Sequence, residues 1–199
     1  MKKSLIALAI ASAVSAPAFA ATSNVDIYGK LNFSVNFLFD QVEDNTATPN
    51  VMEGASDVQF TSNSSRIGFK GSEDLGGGLK AVWQLEGGVN TDEGEGGSMT
   101  SRNSFVGLAG DWGTALLGRH DTPLKLVGRA VDLFGDTMAD SRNVMGGGSD
   151  TRADNVLAYI SPSFSGFGVA LAYSNDVAGA GNGGDVIDRS AWNGNVTYS

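Results

Sequence analysis

The sequence predicts an all-β protein, an antiparallel barrel that crosses a membrane with its strands. Three observations predict it. From Val25 to Phe39 apolar and polar residues alternate over 15 positions, whereas a globular strand usually runs about 5–6. Long and short connections alternate: 40–57 and 90–100 are long and acidic, 72–78 and 110–113 short and glycine-rich. Past the N-terminal segment, no run approaches the roughly 20 apolar residues of a spanning helix, so a closed barrel is the remaining way to satisfy backbone groups in lipid.

The first 20 residues read as a cleaved export signal. Lys2 and Lys3 form a basic start, Leu5 to Val14 an apolar middle, and Pro17-Ala18-Phe19-Ala20 a small-residue cleavage site. The domain expected after cleavage is 21–199, and loss of the two lysines takes the net charge from −9 to −11. So acidic a chain lacks the basic patch that phosphate requires, which excludes nucleic acid as a partner. Cysteine is absent, so no disulfide framework or thiolate metal site is available.

In the first strand Val25, Ile27, Gly29, Leu31, Phe33, Val35, Phe37 and Phe39 share one face. Asp26, Lys30, Asn32, Ser34 and Asn36 share the other. A hairpin spans Ser64 to Asn90, with Ser72 to Gly78 as its turn. Arg66-Ile67-Gly68-Phe69-Lys70 alternates on one arm. On the other, Leu79, Ala81, Trp83 and Leu85 oppose Lys80, Gln84 and Glu86. Ser101–Ala109 and Thr114–Arg119 follow as strands about the turn Gly110-Asp111-Trp112-Gly113. A connection of about 30 residues, 120–151, is too long for an ordinary loop and is expected to be functional. Leu133, Phe134 and Met138 are expected to help it pack. Arg152–Ser161, Phe167–Ser174 and Ala191–Tyr198 complete about eight strands.

Catalysis finds no support in the residues. His120 is the single histidine, so a secreted hydrolase would lack a Ser/His/Asp set. Gly76–Gly78 precedes a strand rather than a helix and is no phosphate cradle. No Asp-x-Asp-x-Asp calcium loop appears. No cofactor is expected.

Five blocks resemble the general porin family of Gram-negative outer membranes: Val25-Asp26-Ile27-Tyr28-Gly29-Lys30, Ser65 through Gly78, Phe105-Val106-Gly107-Leu108, Leu117-Gly118-Arg119 and Asp132-Leu133-Phe134-Gly135. The resemblance implies a barrel of about 16 strands, of which this chain would supply about the first eight, usually assembled as a homotrimer in outer-membrane lipid. It also implies a water-filled channel for passive diffusion of small hydrophilic solutes and ions. The 120–151 connection would be the inward-folded constriction loop. Lys30, Arg66, Arg102, Arg119 and Arg152 would be basic wall residues, faced by Asp132 and Asp136 on the loop. Phe37, Phe39, Phe69, Trp83, Phe167 and Tyr173 would meet lipid or form interfacial girdles. An alternative is a small outer-membrane barrel or adhesin that acts through acidic external loops without a channel.

Overall fold

The computed structural model describes residues 24–38, 57–92, 98–142, 150–176 and 190–198; the export segment, Phe39 and most of the first long loop lie outside them. The elements in order are β1 (Asn24–Lys30), β2 (Phe33–Leu38), β3 (Asp57–Ser62), β4 (Arg66–Gly76), β5 (Leu79–Gly88), β6 (Ser104–Gly110), β7 (Gly113–Asp121), α1 (Pro123–Val131), β8 (Arg152–Ile160), β9 (Phe167–Asp176) and β10 (Ala191–Tyr198). One eight-stranded antiparallel sheet runs β1-β4-β5-β6-β7-β8-β9-β10, beside a β2-β3 ribbon. Pairing of Lys30 with Arg66, and then of Phe33 with Ser62, makes that ribbon a continuation of β1-β4 across a short break. The eight wall strands of the sequence reading are therefore present as a meander with long and short connections in alternation.

The break has a local cause. The Asn32 N–H donates to Ser65 Oγ at 3.0 Å, its Nδ2 to the Asn63 carbonyl at 3.2 Å, and its carbonyl accepts from the Asn63 N–H at 2.7 Å. Side chains thus replace ladder bonds for two residues, and Ser64 takes a left-handed φ of 54°. The hairpin turn is shorter than 72–78. Glu73 still pairs with Ala81 and Asp74 with Lys80, so only Gly77 and Gly78 reverse the chain. Gly76, Gly77 and Gly78 all have positive φ (86°, 61° and 81°), a conformation costly for residues with a Cβ.

Alternation gives the sheet two faces of opposite character. On one, Ile27 (70% exposed), Phe37 (62%), Val106 (62%), Leu117 and Leu157 stand outward as a band. Register carries the band across neighbours: Ile27 opposes Phe69, Phe69 opposes Leu85, and Leu117 opposes both Val106 and Leu157. A soluble sandwich would bury such residues. On the other face Leu116 (2% exposed) packs with Val156, Ala158 and Ala172, joined by Phe105 and Ile160.

The long connection after β7 contains a helix that its length alone did not reveal. Thr122 caps α1, its Oγ1 accepting from the Lys125 N–H at 3.2 Å, and Pro123 occupies the first turn. Nine residues cannot hold a helix alone in water. β10 supports it: the Leu124 N–H donates to Asn193 Oδ1 at 2.8 Å, and Asn195 Nδ2 donates to the Pro123 carbonyl at 2.7 Å. Leu133 (93% exposed) and Phe134 do not pack, contrary to expectation. Ion pairs hold the tip of this segment in place.

Candidate functional site

The segment after α1 returns across the concave face to the opposite edge of the sheet. There the Asp136 carboxylate meets Lys30 Nζ at 3.0 Å from β1 and Arg66 Nη1 at 3.1 Å from β4. Its backbone carbonyl accepts from Asn32 Nδ2 at 2.7 Å. The break between β1 and β2 therefore supplies the seat for the loop tip. Partial burial opposes the charge of Asp136, but Lys30 and Arg66 outweigh it and bring the carboxyl down to about 2.

Asp136 sits in the left-handed region, with φ 59°. Its N–H donates to Asp140 Oδ2 at 2.8 Å. Asp140 is fully buried and also accepts from Arg129 Nη1 at 2.6 Å, Arg142 Nη2 at 2.8 Å and Arg142 Nε at 3.0 Å. Burial opposes its charge, and the two guanidinium groups hold its carboxyl well below the usual carboxylate range. Arg129 in turn grips Asp150 through two bonds of 3.0 and 2.8 Å.

Asp132 plays a different part from the one expected. It accepts from the Phe134 N–H at 2.9 Å, the Ser141 N–H at 3.2 Å and Ser141 Oγ at 3.0 Å. These bonds from Ser141 and Phe134 lower its carboxyl. They tie the two ends of the loop tip together, so the structure brings Asp136, and not Asp132, to the wall.

The wall arginines divide three ways. Arg66 meets the loop. Arg102 meets the wall itself: its Nε lies 2.6 Å from Glu86 Oε1, while Tyr28 donates its hydroxyl proton to Glu86 Oε2 at 2.9 Å. Arg152 stands at the loop's root, 3.0 Å from Asp121 Oδ1 and 2.8 Å from Asn103 Oδ1. Lys125 of α1 reaches the same Asp121 oxygen at 3.1 Å. Burial lowers the Lys125 ammonium from its ordinary value against the pull of Asp121.

Arg119 departs from the sequence reading. It shares strand parity with outward Leu117, pairs with Asp154, and lines a hollow of about 590 Å³ with Leu85, Val106 and Leu117. Alternation along β7 already gives Arg119 the face of Leu117, and on the partner strand a β-bulge sets Asp154 and Asn155 opposite it, with Asn155 at φ 51°. Arg119 thus belongs with the apolar face. His120 turns the other way, its ring 5.3 Å from that of Phe105 and edge-on to it.

Apart from the Arg119–Asp154 pair, the ion-paired groups among the described residues number seven cations (Lys30, Arg66, Arg102, Lys125, Arg129, Arg142, Arg152) and six anions (Glu86, Asp121, Asp132, Asp136, Asp140, Asp150). Sequence reasoning missed Glu86, Asp121, Lys125, Arg129, Asp140, Arg142 and Asp150 as members. Glu86 carried a signal, since it shares its strand face with Gln84. The loop residues carried none, because a loop has no period from which to read direction.

The chain matches the family profile described as Gram-negative porin over residues 7–199. It is 36% identical over 185 residues to the major outer membrane protein P.IB of Neisseria gonorrhoeae, covering 92% of this chain and 51% of that protein. It is 35% identical over 185 residues to outer membrane porin protein 32 of Delftia acidovorans, covering 88% and 50%. Among solved structures, an anion-selective porin from Comamonas acidovorans superposes with a TM-score of 0.67 at 28% identity, covering 88% of this chain and 53% of that one. The chain spans about half the length of the relatives it matches. The sheet is accordingly part of a porin barrel wall, its apolar band faces outer-membrane lipid, and the chain belongs to the Gram-negative porin family.

Proposed function

We propose that this chain builds the constricted part of a general porin, a water-filled channel for passive diffusion of small hydrophilic solutes and ions. The observation that carries the reading is the Asp136 carboxylate seated between Lys30 and Arg66, 106 and 70 positions away in sequence. A loop anchored in this way on the concave face narrows the lumen and lines it with fixed charge. Such charges order water and favour polar solutes that align with them, while apolar solutes meet a desolvation cost. In this reading Lys30, Arg66, Arg102 and Arg152 supply the positive side, and Asp136 the negative side on the loop. Arg119 and Asp132 serve the barrel surface and the loop's own shape.

With their partners Asp136, Glu86 and Asp121, the four wall cations leave an excess of one positive charge, which supports a mild preference for anions, and the anion-selective neighbour points the same way. The functional unit is a homotrimer in outer-membrane lipid. The test is planar-bilayer recording of the native protein purified from outer membranes. Stepwise, ohmic openings are expected, grouped in threes, with a reversal potential on the anion side under a salt gradient. A protein that inserts without conductance would refute the channel.

A further inference from the structure

Asp140 is the one large side chain among the described residues with essentially no solvent exposure, and it is a carboxylate. A buried charge inside a polar loop is costly unless every lone pair is met. Here five donors meet it: the Arg129 and Arg142 guanidinium groups with three bonds, and the N–H groups of Asp136 and Arg142 at 2.8 and 3.0 Å.

Two of those contacts lead directly to the wall pairing. The bond from the Asp136 N–H holds that residue at φ 59°, a conformation unfavourable for an aspartate, and so fixes the direction of its side chain. Arg142, oriented by Asp140 on two of its nitrogens, donates from Nη2 to Ser64 Oγ at 3.3 Å. Ser64 also holds Arg66, accepting from its Nη1 through the backbone carbonyl at 3.1 Å. Asp140 thus acts on both sides of the contact: on the acid through its backbone, and on the cation through Arg142 and Ser64.

We propose that Asp140 is the positioning residue of the constriction, setting ion selectivity by fixing Asp136 against Lys30 and Arg66. This inference rests on the channel reading above. Asp140 itself touches neither wall cation. In Asp140→Asn the shape remains but the charge that organises Arg129 and Arg142 is gone, and Asp136 loses its fixed direction. The lumen then behaves as if the Asp136 charge were weakened, and anions gain.

The test is a cycle of Asp136→Asn, Asp140→Asn and the double variant in the native protein, reconstituted in planar bilayers with trimer assembly checked by gel mobility. Reversal potentials give the anion-to-cation permeability ratio. Each single variant is expected to raise that ratio by about twofold or more, a size typical of coupled contacts. In the Asp136→Asn background, Asp140→Asn is expected to add nothing further. Equal shifts in both backgrounds would overturn the proposal, because they would mean that Asp140 acts through its own charge or by general loosening. An assembled Asp140→Asn trimer with wild-type selectivity would overturn it too. If Asp140→Asn fails to assemble, Asp140→Glu carries the same cycle, since it keeps the charge but displaces the carboxylate by a methylene. Absence of conductance in the wild type removes the channel reading and this inference together. Wild-type conductance with an Asp136→Asn shift but no Asp140 effect removes this inference alone.

Discussion

Lys30 and Arg66, register partners on adjacent strands, converge on a single oxygen of Asp136. Two cations that would repel across the ladder are thereby held together by a loop carboxylate. Because this contact lowers the Asp136 carboxyl from 3.8 to about 2, it favours the ionised form. Its contribution is complete above the unperturbed value and lost as pH falls through about 2. Single-channel conductance and selectivity should stay level from neutrality to about pH 4, then change below about pH 3 as the tip releases. A transition centred near pH 6 would assign the release to some other group.

Removing either side of that contact should move selectivity in opposite directions. Arg66→Ala leaves the waist more negative and is expected to favour cations. Asp136→Ala leaves Lys30 and Arg66 unneutralised and is expected to favour anions. A change of about twofold in each permeability ratio corresponds to roughly 0.4 kcal/mol between ions, and reversal potentials under a salt gradient measure it. Shifts of the same sign would show that the two residues do not share one constriction.

The two faces of the sheet predict contrasting tolerance. Val106→Arg places a charge in the apolar band and is expected to cost about 2–4 kcal/mol near the bilayer midplane. Ser72→Arg, on the concave side, is expected to stay within about 0.5 kcal/mol. Urea unfolding from lipid vesicles, followed by tryptophan fluorescence, compares them. Equal costs would contradict the assignment of faces.

Glu86 is buried between Arg102 and the Tyr28 hydroxyl. Arg102→Ala leaves that carboxylate with half its partners and is expected to destabilise the barrel by about 2 kcal/mol. Gly68→Ala reaches the same site by sterics, since a Cβ there would collide with the Tyr28 ring and pull its hydroxyl from Glu86. Both variants should lower the thermal midpoint in detergent, while Lys80→Ala on the same hairpin should not.

Most of the wall was legible in the sequence because a strand writes its direction into every second residue. Val25 to Phe37 announced both faces, and Lys30 and Arg66 fell on the concave one. Legibility failed where that period was interrupted or passed over. The side-chain bonds of Asn32 split a strand that reads as continuous, and Arg119 joins the lumen set only by its charge, since its parity with Leu117 already puts it on the outward face. In the loop, Asp132, Asp136 and Asp140 are interchangeable as text. Their roles differ because one closes the loop's ends, one reaches the wall and one is buried between two arginines. The helix was hidden behind a length argument, although Thr122-Pro123 is a serviceable start signal.

The seat of Asp136 also bears on the order in which the molecule forms. Neighbouring strands from β4 to β10 follow one another in the sequence, so even the longest closure among them, Asp121 to Arg152, is far shorter than the span from Lys30 to Asp136. The bonds from Lys30 and Asn32 to Asp136 span 106 and 104 positions and require the sheet to have curved before the two can meet. Contacts made after the rate-limiting barrier govern how fast a fold is lost rather than how fast it is gained. A barrel without this anchor should therefore assemble at an ordinary pace and come apart sooner, giving the loop tip a second value as a brake on unfolding.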